Sequence, residues 1–200
     1  MSLCKVCFNQ EINTLNDLLF TPPICVKCLA KFKTLFLKEK NKGIEYLFLY
    51  NYEGIIKELI YSFKGLYRKD LACIFTYQYK NFLRSKYRGY TFLCAPSMQS
   101  DDLKRGYNHV EEIAKSISKK VLKPFYKCKE WKQSDKSYSQ RKNIKDIIKV
   151  NSEMIKGLKK VVIIDDIFST GSTIESCIQH IDTNCDIKVL CICRNLSKNV

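Results

Sequence analysis

Two hundred residues suffice for one α/β domain with a sizeable core and a small appendage. Thirty-five Lys and Arg against 20 Asp and Glu give a net charge of +15, which favours polyanionic partners such as nucleic acid; an AT-rich coding bias towards Lys, Asn, Ile, Phe and Tyr would give the same balance. Eleven cysteines are an odd, scattered set, the opening MSLCKVCFNQ lacks an apolar core and cleavage site, and no apolar run nears the ~18 residues of a bilayer span, so the expectation is a cytoplasmic protein with reduced thiols and no membrane span.

Residues 1–35 read as a separate unit. Cys4-x-x-Cys7 is followed, after 17 residues, by Cys25-x-x-Cys28. Each knuckle places two thiolates on one metal, and two knuckles complete a tetrahedral Cys4 zinc site. Pro22 and Pro23 extend the chain before the second knuckle. A unit this short has too little core to fold alone, so metal binding would stabilise it. A redox CxxC is the rival reading, which the pairing of two such motifs disfavours. Whether the unit touches a partner or only caps the domain stays open.

Ile44 to Tyr52 predicts a strand, and Gly54 leads into a helix with Ile55, Ile56, Leu59, Ile60 and Phe63 on one face, broken at Lys64-Gly65. A second helix is expected to turn Leu71, Ile74, Phe75, Tyr79, Phe82 and Leu83 to the core. Two connections, Phe63 to Lys69 and Lys86 to Tyr90, interleave basic and aromatic residues. Lys64, Tyr67, Arg68, Lys69, Lys86 and Arg88 are therefore candidate contacts to single-stranded nucleic acid, by charge and stacking. Solvated loops in a basic protein explain them equally well.

Thr91 to Ala95 predicts a short strand ended by Pro96, followed by a polar loop from Ser97 to Lys104 and then Arg105-Gly106-Tyr107-Asn108. A helix follows with Val110, Ile113, Ala114, Ile117 and Val121 on one face, and His109 stands next to the loop as a candidate for contact. A loop at a strand's carboxyl end suits a ligand, so Lys104 and Arg105 either bind a pyrophosphate or solvate a turn. Lys127 to Asn143 is polar and aperiodic, an active-site lid or plain disorder, and carries Trp131, Gln133, Arg141 and Asn143. Ile147, Ile148 and Val150 make a short strand, and Ile187 to Cys193 another. His180, near a helix end, reads as a favourable surface charge rather than a base.

The chemistry concentrates in VVIIDDIFSTGSTI, Val161 to Ile174. Val161 to Ile164 read as a strand buried on both faces, with Asp165 and Asp166 at its carboxyl end. Ser169, Thr170, Gly171, Ser172 and Thr173 make a hydroxyl-rich turn, and Ile174, Cys177, Ile178 and Ile181 have helical spacing. The turn suits a phosphate, and the acids suit hydroxyl donors or a hard cation. A ribose 5-phosphate group supplies both parts, and a magnesium-bound polyphosphate also fits. A Walker B strand is set aside because none of the seven glycines has the spacing of a Walker A loop.

This stretch resembles the phosphoribosyl pyrophosphate (PRPP) motif of type I phosphoribosyltransferases. The whole layout resembles the competence protein ComF (ComFC) family, in which two CxxC knuckles precede a phosphoribosyltransferase domain. Ala95 to Gln99 (APSMQ) and Arg105 to His109 (RGYNH) stand where that family has PVPLH and RGFNQ, so a proline and a histidine are replaced and His109 takes the place of a glutamine. Gln133, Arg141 and Asn143 loosely match its Q…R..N loop.

The resemblance implies an α/β, type I phosphoribosyltransferase fold, a parallel-sheet core flanked by helices, over residues 44–200, after the Cys4 zinc unit of 1–35. It implies PRPP on Asp165, Asp166, Ser169, Thr170, Gly171, Ser172 and Thr173, with Mg2+, and a pyrophosphate loop at Ala95, Pro96, Ser97, Arg105 and Gly106. It also implies handling of incoming single-stranded DNA during natural transformation, with a DNA-translocating helicase as partner. A transferase acting on an unknown acceptor is the alternative, and a non-catalytic sensor of PRPP a third.

Overall fold

Apolar runs that do not alternate need cover on both faces, and here they form the middle of a sheet. The computed structural model describes residues 3–9, 22–127 and 148–196. Strands β1 (Thr34–Asn41), β2 (Ile44–Asn51), β3 (Thr91–Cys94), β4 (Val121–Leu122), β7 (Lys160–Phe168) and β8 (Asp186–Arg194) form one sheet in the order β1-β2-β8-β7-β3-β4. Only β1 runs antiparallel to its neighbour. Strands β5 (Phe125–Lys127) and β6 (Ile148–Val150) pair as a separate antiparallel ribbon. The fold is thus mixed α/β with a mostly parallel sheet.

Val161 to Ile164 of β7 are all 0% exposed. Their side chains alternate between the two faces, Val162 and Ile164 into one apolar cluster and Val161 and Ile163 into the other. Each such burial contributes about 1.5–3 kcal/mol, which makes β7 the spine of the domain. The first cluster lies under helices α2 (Gly54–Gly65), α3 (Ile74–Tyr77), α4 (Lys80–Lys86) and α6 (His109–Ile117). The second lies under α7 (Ser172–Ile178) and the β5–β6 ribbon. The four-cysteine segment, with α1 (Val26–Leu29), joins the first cluster through Cys4, Ile24, Cys25, Cys28 and Phe32.

Several local expectations are corrected. The expected second helix is three pieces, a 3-10 turn at Lys69–Cys73, then α3, then α4. Tyr79 breaks it with φ −108° and ψ 7°, and its ring stacks on Phe36 of β1 at 4.9 Å. Phe82 is 37% exposed and also leans on Phe36 instead of entering the core. Strand β1 adds to the expected elements: it is an edge strand, largely exposed and lysine-bearing, so it has no buried alternation to betray it.

The loop expected from Ser97 to Lys104 is mostly a helix, α5 (Gln99–Arg105). Its order comes from charge and capping. Asp101 and Asp102 sit in the first turn, Lys104 and Arg105 in the last, and Gly106 at φ 74° closes it. It buries no residue, so no apolar period could announce it. Val121 belongs to β4, because α6 ends at Ser118. His180 is exposed, as expected, with Nε2 3.2 Å from the Ile148 carbonyl. Trp131, Gln133, Arg141 and Asn143 lie outside the described residues.

Candidate ribose-phosphate and metal sites

The chain runs from β3 outward to β4 on one side, and from β7 outward to β8 on the other. Between β3 and β7 the order therefore reverses, and a crevice opens at their carboxyl ends. Strand β3 stops at Cys94, opposite Ile164, and the Ala95 N–H still donates to the Ile164 carbonyl at 2.9 Å. Strand β7 goes on four residues further beside β8, to Phe168 opposite Arg194. The acidic pair thus lies inside the strand rather than after it, on the stretch where β7 has lost its β3 neighbour.

Asp165 is half-buried and its Oδ1 accepts the Asp166 N–H at 2.9 Å. Burial, and then the Asp166 charge, push its carboxyl up to about 8. Asp166 is 4% exposed. Burial alone would raise its carboxyl as well, but the Lys64 ammonium and the His109 ring hold it far below the usual carboxylate range. Lys64 Nζ contacts Asp166 Oδ2, and His109 Nε2 stands 3.7 Å from the same oxygen. A cation thus already rests on this carboxylate, which is what a hard cation or a hydroxyl donor would do in its place.

In the turn after β7, Thr170 Oγ1 and Ser172 Oγ lie 3.0 Å apart at the surface. Gly171 adopts φ +80°, and an added Cβ would come within 2.8 Å of the Phe168 ring. That ring is wedged against Tyr46 and Phe48, so the turn is shaped from below. Across the crevice, Asp102 gathers the other loop. It accepts from Ser97 Oγ, from Asn108 Nδ2 at 2.8 Å and from Arg105 at 2.8 Å. Asn108 Oδ1 meanwhile caps α6 through the Glu111 N–H at 2.8 Å. Ser97 and Arg105 are therefore brought together, with Arg105 held by Asp102 rather than turned to the acids. Asp102 and Asn108 organise this loop; sequence reasoning missed both, and an Asn directly before the apolar face of α6 is the signal that could have found the second.

The candidate nucleic-acid residues divide. Thr91 of β3 pairs with Val161, so Lys86 and Arg88 precede the amino ends of the strands, away from the acids. Lys86 is paired with Glu45, and Tyr87 and Tyr90 are buried. Lys64 and Tyr67 instead share a cleft of about 440 Å3 with Tyr61, Lys104 and Arg105, beside Ile167 of β7. Arg68 reaches away from that cleft. It bonds Asp70 and the Lys5 carbonyl at 2.9 Å and covers the Phe8 ring, clamping the first cysteine knuckle. Lys69 pairs with Glu112 at 3.3 Å.

Cys4, Cys7, Cys25 and Cys28 place their sulfurs within 4.8 Å of one another. Cys7 and Cys25 are 3.8 Å apart, far beyond a disulfide and equal to the edge of a tetrahedron with Zn–S bonds of about 2.3 Å. Burial raises the Cys4 thiol, but backbone N–H groups of Cys7, Cys25 and Val6 outweigh it and bring it down to about 6. Burial, then the neighbouring thiols, push Cys28 up. Four crowded sulfurs of this kind could hold a metal ion, whose charge would stabilise all of them as thiolates.

No family model matches the chain. A curated protein, competence protein ComFC of Streptococcus pneumoniae (strain ATCC BAA-255 / R6), is 27% identical over 175 residues, 86% of this chain and 70% of that protein. The chain is thus similar to ComFC over most of its length. Solved structures similar to the chain include a hypoxanthine phosphoribosyltransferase from Staphylococcus aureus in two crystal forms. The orthorhombic form matches at 15% identity and TM-score 0.41 over 65% of this chain and 66% of that one. The tetragonal form matches at 14% identity and TM-score 0.39 over the same shares. The fold class of the chain rests on its own sheet order. Among its described residues, no helix is long and apolar enough to cross a membrane.

Proposed function

We propose that the protein binds PRPP or a related ribose phosphate with Mg2+ at the carboxyl end of β7, and handles single-stranded DNA in natural transformation. The observation that carries the ligand reading is the acidic pair at the β3–β7 crevice, followed directly by a hydroxyl-rich turn. Asp165 and Asp166 would take the ribose hydroxyls, and Ser169 to Thr173 the 5-phosphate. Bound Mg2+ would supply positive charge to the pyrophosphate, with Ala95 to Ser97 and Arg105-Gly106 as the facing loop. The competence role follows the similarity to ComFC along most of the chain. The DNA-translocating helicase as partner and the cytoplasmic location rest on family resemblance and on the sequence. The four cysteines would hold zinc, the ion their sulfur-only donor set and spacing suit.

The DNA reading is tested by fluorescence anisotropy of a labelled single-stranded oligonucleotide at two salt concentrations. The expected result is binding that weakens steeply with salt and tolerates changes of sequence. Absence of binding at low salt would remove the nucleic-acid half of the proposal. The second reading, transfer of the ribose phosphate to an acceptor, draws on the same carboxylates. Asp166, held ionised by Lys64 and His109, would stabilise positive charge developing at the anomeric carbon, and Asp165 would add its own charge once a bound cation displaced its proton. It predicts acceptor-dependent pyrophosphate release that collapses in Asp165→Asn or Asp166→Asn.

A further inference from the structure

Lys64 belongs to two places at once. Its ammonium rests on Asp166, whose side chain is 6% exposed, while its own side chain is 31% exposed. Its other surroundings are the wall of the cleft between α2 and α5. That cleft presents rings as well as charge. Tyr61 is 68% exposed and Tyr67 is 54% exposed. Tyr67 sits in the left-handed region at φ +58°, next to the anchored Arg68, so its ring is presented by the backbone rather than left to drift. Lys104 adds a cation from α5, and Asp101 is the acid among the lining residues. Exposed rings beside ammonium groups suit a chain whose units each carry a flat π-face and a negative charge.

We infer that this cleft takes a single nucleic-acid strand, with bases on Tyr61 and Tyr67 and phosphate on Lys104, and that Lys64 couples it to the ribose-phosphate site. With Asp166 unliganded, Lys64 is held there and is withheld from the strand. A diol or a hard cation that takes over Asp166 releases Lys64 to a phosphate in the cleft. Each ligand then strengthens the other, by the same factor in both directions. The inference rests on the proposed function for both ligands and adds where the strand lies and how the sites communicate.

The test uses the full chain, a labelled oligothymidylate and Mg2+, with and without PRPP. In the wild type, PRPP is expected to tighten oligonucleotide binding by about fivefold or more. Lys64→Ala should abolish that enhancement while PRPP still binds. Tyr61→Ala, at a position 68% exposed, should weaken strand binding by about 5–100-fold and leave PRPP binding and the enhancement intact. Wild-type affinity in Tyr61→Ala and Lys104→Ala would overturn the location. An enhancement that survives Lys64→Ala, or a PRPP effect of opposite sign, would overturn the coupling. An acidic peptide that displaces the oligonucleotide from the wild type but not from Tyr61→Ala would assign the cleft to a protein partner instead. If the wild type binds no oligonucleotide at all, the proposed DNA function fails and this inference with it.

Discussion

A single oxygen, Asp166 Oδ2, shows how this site is balanced. It is buried, and it is tolerated because Lys64 and His109 converge on it. Truncating Lys64 to Ala leaves the carboxylate with the ring alone. The expected cost is about 1–3 kcal/mol in urea unfolding, towards the low end because the lysine is partly solvated. Lys64→Ala combined with Asp166→Asn should recover part of it, since position 166 then carries no unpaired buried charge; equal losses in both proteins would mean that the pair is not what stabilises the region. Gly171 is a backbone counterpart. A side chain there meets a positive φ and the Phe168 ring together. Gly171→Ala should cost about 1–2 kcal/mol or more in the same assay, and should weaken PRPP binding as the turn shifts.

At the level of elements, the two-knuckle unit is more than a cap. Its buried members share one cluster with Tyr50, Phe63 and Phe75 of the main domain, and Arg68 ties it to the segment after α2. Removing metal should therefore unsettle both. Chelation at elevated temperature is expected to release about one zinc per chain, and to lower the melting temperature of the whole domain rather than melt a small unit alone. A separate low-temperature transition would contradict that coupling. Much of this was legible in the sequence. The knuckle spacing, the apolar run of β7 and the faces of α2 and α6 carry periods or exclusions that one chain reveals. Strand β1 and helix α5 were illegible because they bury little, being held by an edge pairing and by caps and charges. The Lys64–Asp166 contact joins residues 102 positions apart, and no local pattern encodes it. The division of the basic–aromatic loops between opposite ends of the sheet likewise needed the sheet order.

For the molecule as a whole, protonation links the site to stability. Asp165 titrates near 8 in the folded chain against about 3.8 for an ordinary aspartate. A raised value means that its contribution is complete at low pH and is lost as pH rises through about 8. Asp166, with its lowered value, acts oppositely, losing its contribution as pH falls below the ordinary carboxylate range. Between pH of about 4 and about 8, the melting temperature of the wild type should thus fall relative to that of Asp165→Asn, which cannot ionise there. Parallel curves would show that Asp165 carries no such proton.

If the acidic pair and the turn after β7 form the proposed ribose-phosphate site, PRPP binds there. Calorimetric titration of PRPP into the full chain, with Mg2+ in excess, tests it most directly. Saturable binding at one site per chain, lost in Asp165→Asn and weakened in Thr170→Ala, is the predicted result. A wild type that gives no binding, or an Asp165→Asn variant that binds PRPP as tightly as the wild type, would contradict it.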